Sequence, residues 1–111
     1  MKLFIFLLIL LAASFHANSQ SFSSETVATA VAKKMQDTLS INEDQKNGIY
    51  NANLLLHSWK MTARQQSSDM EILKTQLQAI ENKRDSLYQQ ILTPGQYQLY
   101  KIKKSALIGA N

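Results

Sequence analysis

The chain has 111 residues, a net charge of +4 at neutral pH and no cysteine. Its length allows a single domain, and without cysteine no disulfide framework can hold that domain together. The mild basic balance favours anionic surfaces or acidic partners over nucleic acid.

The N-terminus reads as an export signal. Lys2 is a short positive region, Leu3 to Ala13 is almost unbroken apolar sequence, and Ala17-Asn18-Ser19 offers small residues at the positions a signal peptidase reads. This pattern predicts a signal peptide over 1–19 and a mature chain starting near Gln20. The competing reading is a membrane anchor. The apolar run is about half of the roughly 20 residues a spanning helix needs, and no cysteine follows to carry a lipid. Removing 1–19 takes away His16 and one charge, Lys2, so residues 20–111 carry +3. A domain of this size buries a modest share of its surface alone, which favours a homodimer.

Glycine and proline are sparse beyond residue 20: Gly48, Pro94, Gly95 and Gly109 are all there are. The pattern predicts an all-α domain over 20–111, with four helices. The first spans about Ser24 to Thr38, with Val27, Ala28, Val31, Ala32, Met35 and Leu39 on one face and Ser21, Ser23 or Ser24 as cap. The second spans Glu43 to about Gln66, a rod of about 35 Å. It has two apolar stripes. Ile49, Ala52, Leu55, Leu56, Trp59 and Ala63 form one; Tyr50, Leu54, His57 and Met61 form the other, flanked by Lys46 and Arg64. A helix packed on one partner needs one stripe, so the second must meet another helix, another subunit or a client. Gly48 lies inside this helix at a cost of about 1 kcal/mol against alanine.

The third helix is predicted to open with a capping box at Ser68-Asp69-Met70-Glu71 and to run to about Ile91. Met70, Leu73, Leu77, Ile80, Leu87 and Ile91 make a coiled-coil-like seam interrupted by Arg84. The short polar connection 65–68 favours a long central antiparallel hairpin of the second and third helices. The fourth helix starts at Pro94 and fades near Gly109. Leu99, Ile102 and Ala106 form its expected core face, and Lys101, Lys103 and Lys104 lie in its later turns, where the helix dipole favours positive charge.

Two helix starts share one pattern. In Leu92-Thr93-Pro94-Gly95-Gln96, Thr93 is the N-cap, Pro94 sits at N1 and Gln96 sits at N3 to close a capping box. Leu92 and Tyr97 are placed as a hydrophobic staple. In Ile41-Asn42-Glu43-Asp44-Gln45, Asn42 is the cap, two acids meet the positive end of the dipole, and Gln45 is again N3. Leu92 to Gln96 resembles the LTxxQ signature of the Spy/CpxP family of small periplasmic stress proteins. Ile41 to Gln45 resembles a first, degenerate copy, with Ile for Leu and Asn for Thr. The resemblance implies a thin, curved four-helix fold that dimerises into a cradle. It also implies periplasmic localisation and either ATP-independent chaperoning or the sensing of envelope stress.

Features that might carry chemistry are few. His57 is the only histidine of residues 20–111, too few for a zinc site of three or four ligands, and it reads as a surface or interface residue. No serine sits in a nucleophile turn, and no triad can be assembled. Glu81 and Asp85 lie one helical turn apart and read as a solvated face beside Lys83 and Arg84. No catalytic, cofactor or metal residue is therefore expected. Arg84 has two readings: its stem lies along the seam while its head reaches water, or it pairs, within or between subunits, with a carboxylate such as Asp37 or Asp44 and sets register. Lys101-Ile102-Lys103-Lys104, with Tyr97 and Tyr100, reads either as a contact for anionic lipid or acidic peptide or as a solvated helix end.

The leading expectation is an exported chaperone that binds partly unfolded polypeptides through Lys46, Tyr50, Leu54, His57, Met61 and Arg64. The alternatives are a regulatory protein that docks on the periplasmic domain of a membrane sensor, and a structural helical envelope protein. The motif residues Ile41, Asn42, Gln45, Leu92, Thr93, Pro94 and Gln96 are expected to act through stability. Stable membrane insertion after signal cleavage is not expected.

Overall fold

A computed structural model describes residues 24–109, which form four α-helices and no strand. The expected signal segment, and the caps Ser21 and Ser23, lie outside the described residues. Helix α1 covers 24–39. Helix α2 is Glu43–Gln66, α3 is Met70–Ile91 and α4 is Pro94–Ile108. No helix among the described residues is long and apolar enough to cross a membrane.

The helix starts follow local chemistry. Two of the three expected capping boxes form: the Asn42 and Thr93 side chains each accept the N3 backbone N–H, and Gln45 and Gln96 each accept the cap residue's own N–H. The start of α3 differs from expectation. Asp69, not Ser68, is its N-cap, accepting the N–H groups of Glu71 and Ile72 at 2.8 and 3.4 Å. An ionised carboxylate serves the positive helix end better than a hydroxyl, and the connection shortens to 67–69. Helix α1 ends at Ser40, whose φ of +56° is left-handed and turns the chain toward α2.

Paired residues on α2 and α3 run in opposite numerical order. Gly48 lies under Ile91, Asn53 bonds Arg84 and Tyr88, and Lys60 bonds Glu81. At Gly48 an added Cβ would stand 3.4 Å from the Ile91 side chain, so the glycine allows a close approach of the two helices. One core draws on all four helices: Ala32, Met35 and Leu39 from α1, Ile49 and Ala52 from α2, Tyr88 from α3, and Tyr100 and Leu107 from α4. Ile41 and Leu92, which precede the two N-caps, are also buried in it, and Tyr97 packs on its edge.

Several faces are rotated from their sequence assignment. On α1, Val27 is 59% exposed, whereas Ala28, Ala32, Met35 and Leu39 are buried. On α2, Leu55 is exposed and Asn53 is buried. No apolar residue of the expected α3 seam is fully buried; Met70 is 74% exposed, and the buried positions are Arg84 and Tyr88. On α4, Ile102 is 80% exposed and Ala106 is also outside, while Tyr100 and Leu107 face the core. The physical reason is common to α3 and α4. A tyrosine buries more surface than an aliphatic residue, provided its hydroxyl finds a partner. Tyr88 and Tyr100 stack edge-on at 5.0 Å, and both hydroxyls are hydrogen-bonded.

Candidate partner-binding surface

Two polar clusters hold the helices in place. In the first, Arg84 is 7% exposed. Its guanidinium donates to Glu81 at 3.0 Å, to Asn53 Oδ1 at 2.8 Å and to the Tyr88 hydroxyl at 3.2 Å. Tyr88 in turn donates to Asn53 Oδ1 at 2.7 Å, and Lys60 donates to Glu81 at 2.6 Å. Arg84 does pair with a carboxylate, but that carboxylate is Glu81 of its own helix, not Asp37 or Asp44, and its head is largely buried. The link to α2 is made through Asn53. Burial pushes the Glu81 carboxyl up, but the bonds from Lys60 and Arg84 outweigh it and hold the group below the usual range. Burial likewise pulls Arg84 down, and Tyr88 and Glu81 overcome it.

In the second cluster, Tyr100 donates to Asp85 at 2.8 Å, and Lys104 pairs with the same carboxylate oxygen at 2.9 Å. Glu81 and Asp85 are thus not a solvated pair: each carboxylate anchors a neighbouring helix. Burial first, then Asp85, raises the Tyr100 hydroxyl far above its ordinary value. The basic run on α4 is divided. Lys104 is tied to Asp85, Lys101 lies 5.4 Å over the Tyr97 ring, and Lys103 is exposed. Because α4 continues to Ile108, these lysines lie before its last turn.

The two motif copies meet. Gln45 Nε2 donates to Gln96 Oε1 at 2.7 Å and to the Ile91 carbonyl, the last of α3, at 3.1 Å. Gln96 Nε2 faces the carbonyls of Leu39 and Ser40, where α1 ends, at 3.4 and 3.5 Å. Each glutamine therefore closes its own helix start with its oxygen and caps, with its nitrogen, the helix that ends at the other junction. Pro94 sits exposed at the first position of α4 and makes no part of this bridge.

The expected partner surface on α2 is split three ways. Lys46, Tyr50 and Leu54 are half-buried, and Tyr50 packs on the core. His57 and Arg64 are exposed at the rim of a cleft of about 380 Å³ shared with α1. Met61 is 41% exposed and does not line that cleft. Further along, Met70 and Ile72 stand out beside the 67–69 connection. Nearby, a shallow hollow lies between α2 and α3, bordered by Trp59, Ile80 and Gln76. The Gln76 side-chain oxygen is buried with no hydrogen-bond partner among the described residues.

Asn53, Tyr88 and the cross-bonding of the glutamines were not read from the sequence. The spacing of Arg84 and Tyr88, one helical turn apart, is the sequence signal that could have pointed to the first cluster. Among the described residues, no group of three or more His, Asp or Glu side chains converges as a metal site. No known protein family, curated protein or solved structure matches the chain.

Proposed function

We infer that this is an exported envelope-stress protein that binds partly unfolded polypeptides without ATP, with a layout similar to the Spy/CpxP family. On this reading α2 and α3 form the long central hairpin, residues 1–19 are removed on export to the periplasm, and two copies pair. The observation that carries the reading is the far end of α2 and α3. There Met61, Met70 and Ile72 are exposed together with an unpartnered buried amide oxygen on Gln76. Flexible apolar side chains such as methionine adapt to varied partners, and an unsatisfied acceptor is stabilised by a donor that a partner brings.

The test is suppression of aggregation of a reduced, unfolding protein, without ATP, by the protein produced from the whole 111-residue chain in a Gram-negative host. Suppression at near-stoichiometric ratio, weakened by Met61→Asp with Ile72→Asp, is expected. A folded, helical sample that suppresses nothing would turn the reading toward docking on a single sensor domain or toward a structural role. Mass spectrometry of the same sample should show the loss of residues 1–19; an intact N-terminus contradicts the export reading.

A further inference from the structure

The cleft between α1 and α2 is separate from the exposed end just described, and its lining has two characters. One wall is aliphatic, built from Val27 and Val31 of α1 and Ile108 of α4. The other is basic, with His57, Lys60, Arg64 and, at its floor, Arg84. Among the described residues, Lys60 and Arg84 share the single carboxylate of Glu81, and Arg64 forms no ion pair. Three cations against one anion leave the basic wall with an excess of positive charge that no ion pair among the described residues neutralises.

We propose that this cleft binds a single-chain anionic amphiphile, with the carboxylate against Arg64 and Lys60 and the acyl chain along Val27, Val31 and Ile108. A volume of about 380 Å³ is at the small end for a ligand site, matching one short chain. The cleft walls are helices, whose backbone N–H and C=O groups are bonded internally. An extended peptide laid there could not pair its backbone with that of the walls as it would along a strand edge, whereas an acyl chain has no backbone groups to satisfy. The proposal goes beyond polypeptide binding and does not rest on it.

The experiment is calorimetric titration of the protein produced from the full chain with dodecanoate below its micelle-forming concentration. Dodecyltrimethylammonium and butyrate are titrated alongside, as is an acidic leucine-containing peptide. Saturable one-to-one binding of dodecanoate is expected. Because Val27 and Arg64 are exposed, Val27→Asp and Arg64→Glu leave the fold intact, as circular dichroism will check. Each should weaken dodecanoate about tenfold or more, since a charge-assisted contact or a matched apolar wall is lost. The cationic amphiphile and butyrate should bind at least as weakly as dodecanoate does to the variants. The assignment is overturned if dodecanoate gives no saturable heat, if both variants bind it like the parent, or if the cationic amphiphile binds equally well. Binding of the acidic peptide with dodecanoate silent overturns it in favour of a polypeptide site.

Discussion

The two ends of the α2 and α3 pair are built differently. At the end that holds Gln45 and Ile91, all four helices contribute to the core, and every motif polar group is matched: cap hydroxyl or amide, N3 amide and helix-terminal carbonyl. At the end that holds the 67–69 connection, Met70 and Ile72 are exposed and an amide oxygen is left without a partner among the described residues. A small chain without disulfides concentrates its tight packing and its hydrogen bonds at one end. It leaves apolar surface at the other, where losing a contact costs little stability. Exposed apolar surface and the packing that carries stability thus lie at opposite ends of the pair.

The contrast can be broken most severely at Tyr88. Tyr88→Ala should cost about 3–5 kcal/mol in urea unfolding, because it opens a cavity and strips Arg84 and Asn53 of a partner. Tyr88→Phe should cost about 1–3 kcal/mol, isolating the hydroxyl. The next effect is the glutamine bridge. Gln45→Ala and Gln96→Ala should each destabilise, and a double-mutant cycle should show coupling of about 0.5–3 kcal/mol. Additive losses would mean that the two motif copies act as separate caps.

The titrating groups sharpen the same contrast. Tyr100 has its folded pKa raised above the unfolded value of 10.0. Its contribution is fully present below pH 10 and is lost as the pH climbs further. Glu81 has its pKa lowered from 4.5, so its contribution is present above that pH and fades as the pH falls below it. Melting temperature should therefore drop at both extremes, with Tyr100→Phe flattening the alkaline limb and Glu81→Gln the acid limb. Limbs unchanged by these substitutions would show that other groups govern them. Thr93→Ala, the loss of one N-cap, should cost about 1 kcal/mol. Loss of partner binding by this variant with stability intact would give the motif a direct binding role instead. The smallest effect belongs to the open end: Met70→Ser and Ile72→Ser should change stability by less than about 0.5 kcal/mol. A larger loss would mean that this end is packed in solution, as in a dimer.

Much of the fold was legible because its signals are local. The bounds of α2 and α4 follow from caps that act within four residues, and the extra step to Asp69 at α3 is a choice between adjacent capping residues. The candidate surface was less legible. Lys46, Tyr50, Leu54, His57, Met61 and Arg64 do lie along α2, but α1, which covers part of that helix, sorts them into half-buried, cleft-lining and free. The expected faces of α3 and α4 erred in the same direction, by counting aliphatic residues and passing over tyrosines. A tyrosine's burial depends on whether a distant residue can accept its hydroxyl proton, and that partner is invisible in a periodic pattern.

By itself, then, the sequence determined the all-helical class, where α2 and α4 begin, and the capping role of Asn42, Gln45, Thr93 and Gln96, since each depends on neighbours within a single helical turn. Only the tertiary structure decided that Gln45 and Gln96 bond each other across 51 positions, that Arg84 is buried against Asn53, and that Arg64 lines one cleft with Val27 and Val31 of another helix. Those outcomes depend on how four helices lie against one another in a shared core whose largest buried side chains are Tyr88 and Tyr100, and not on any local preference.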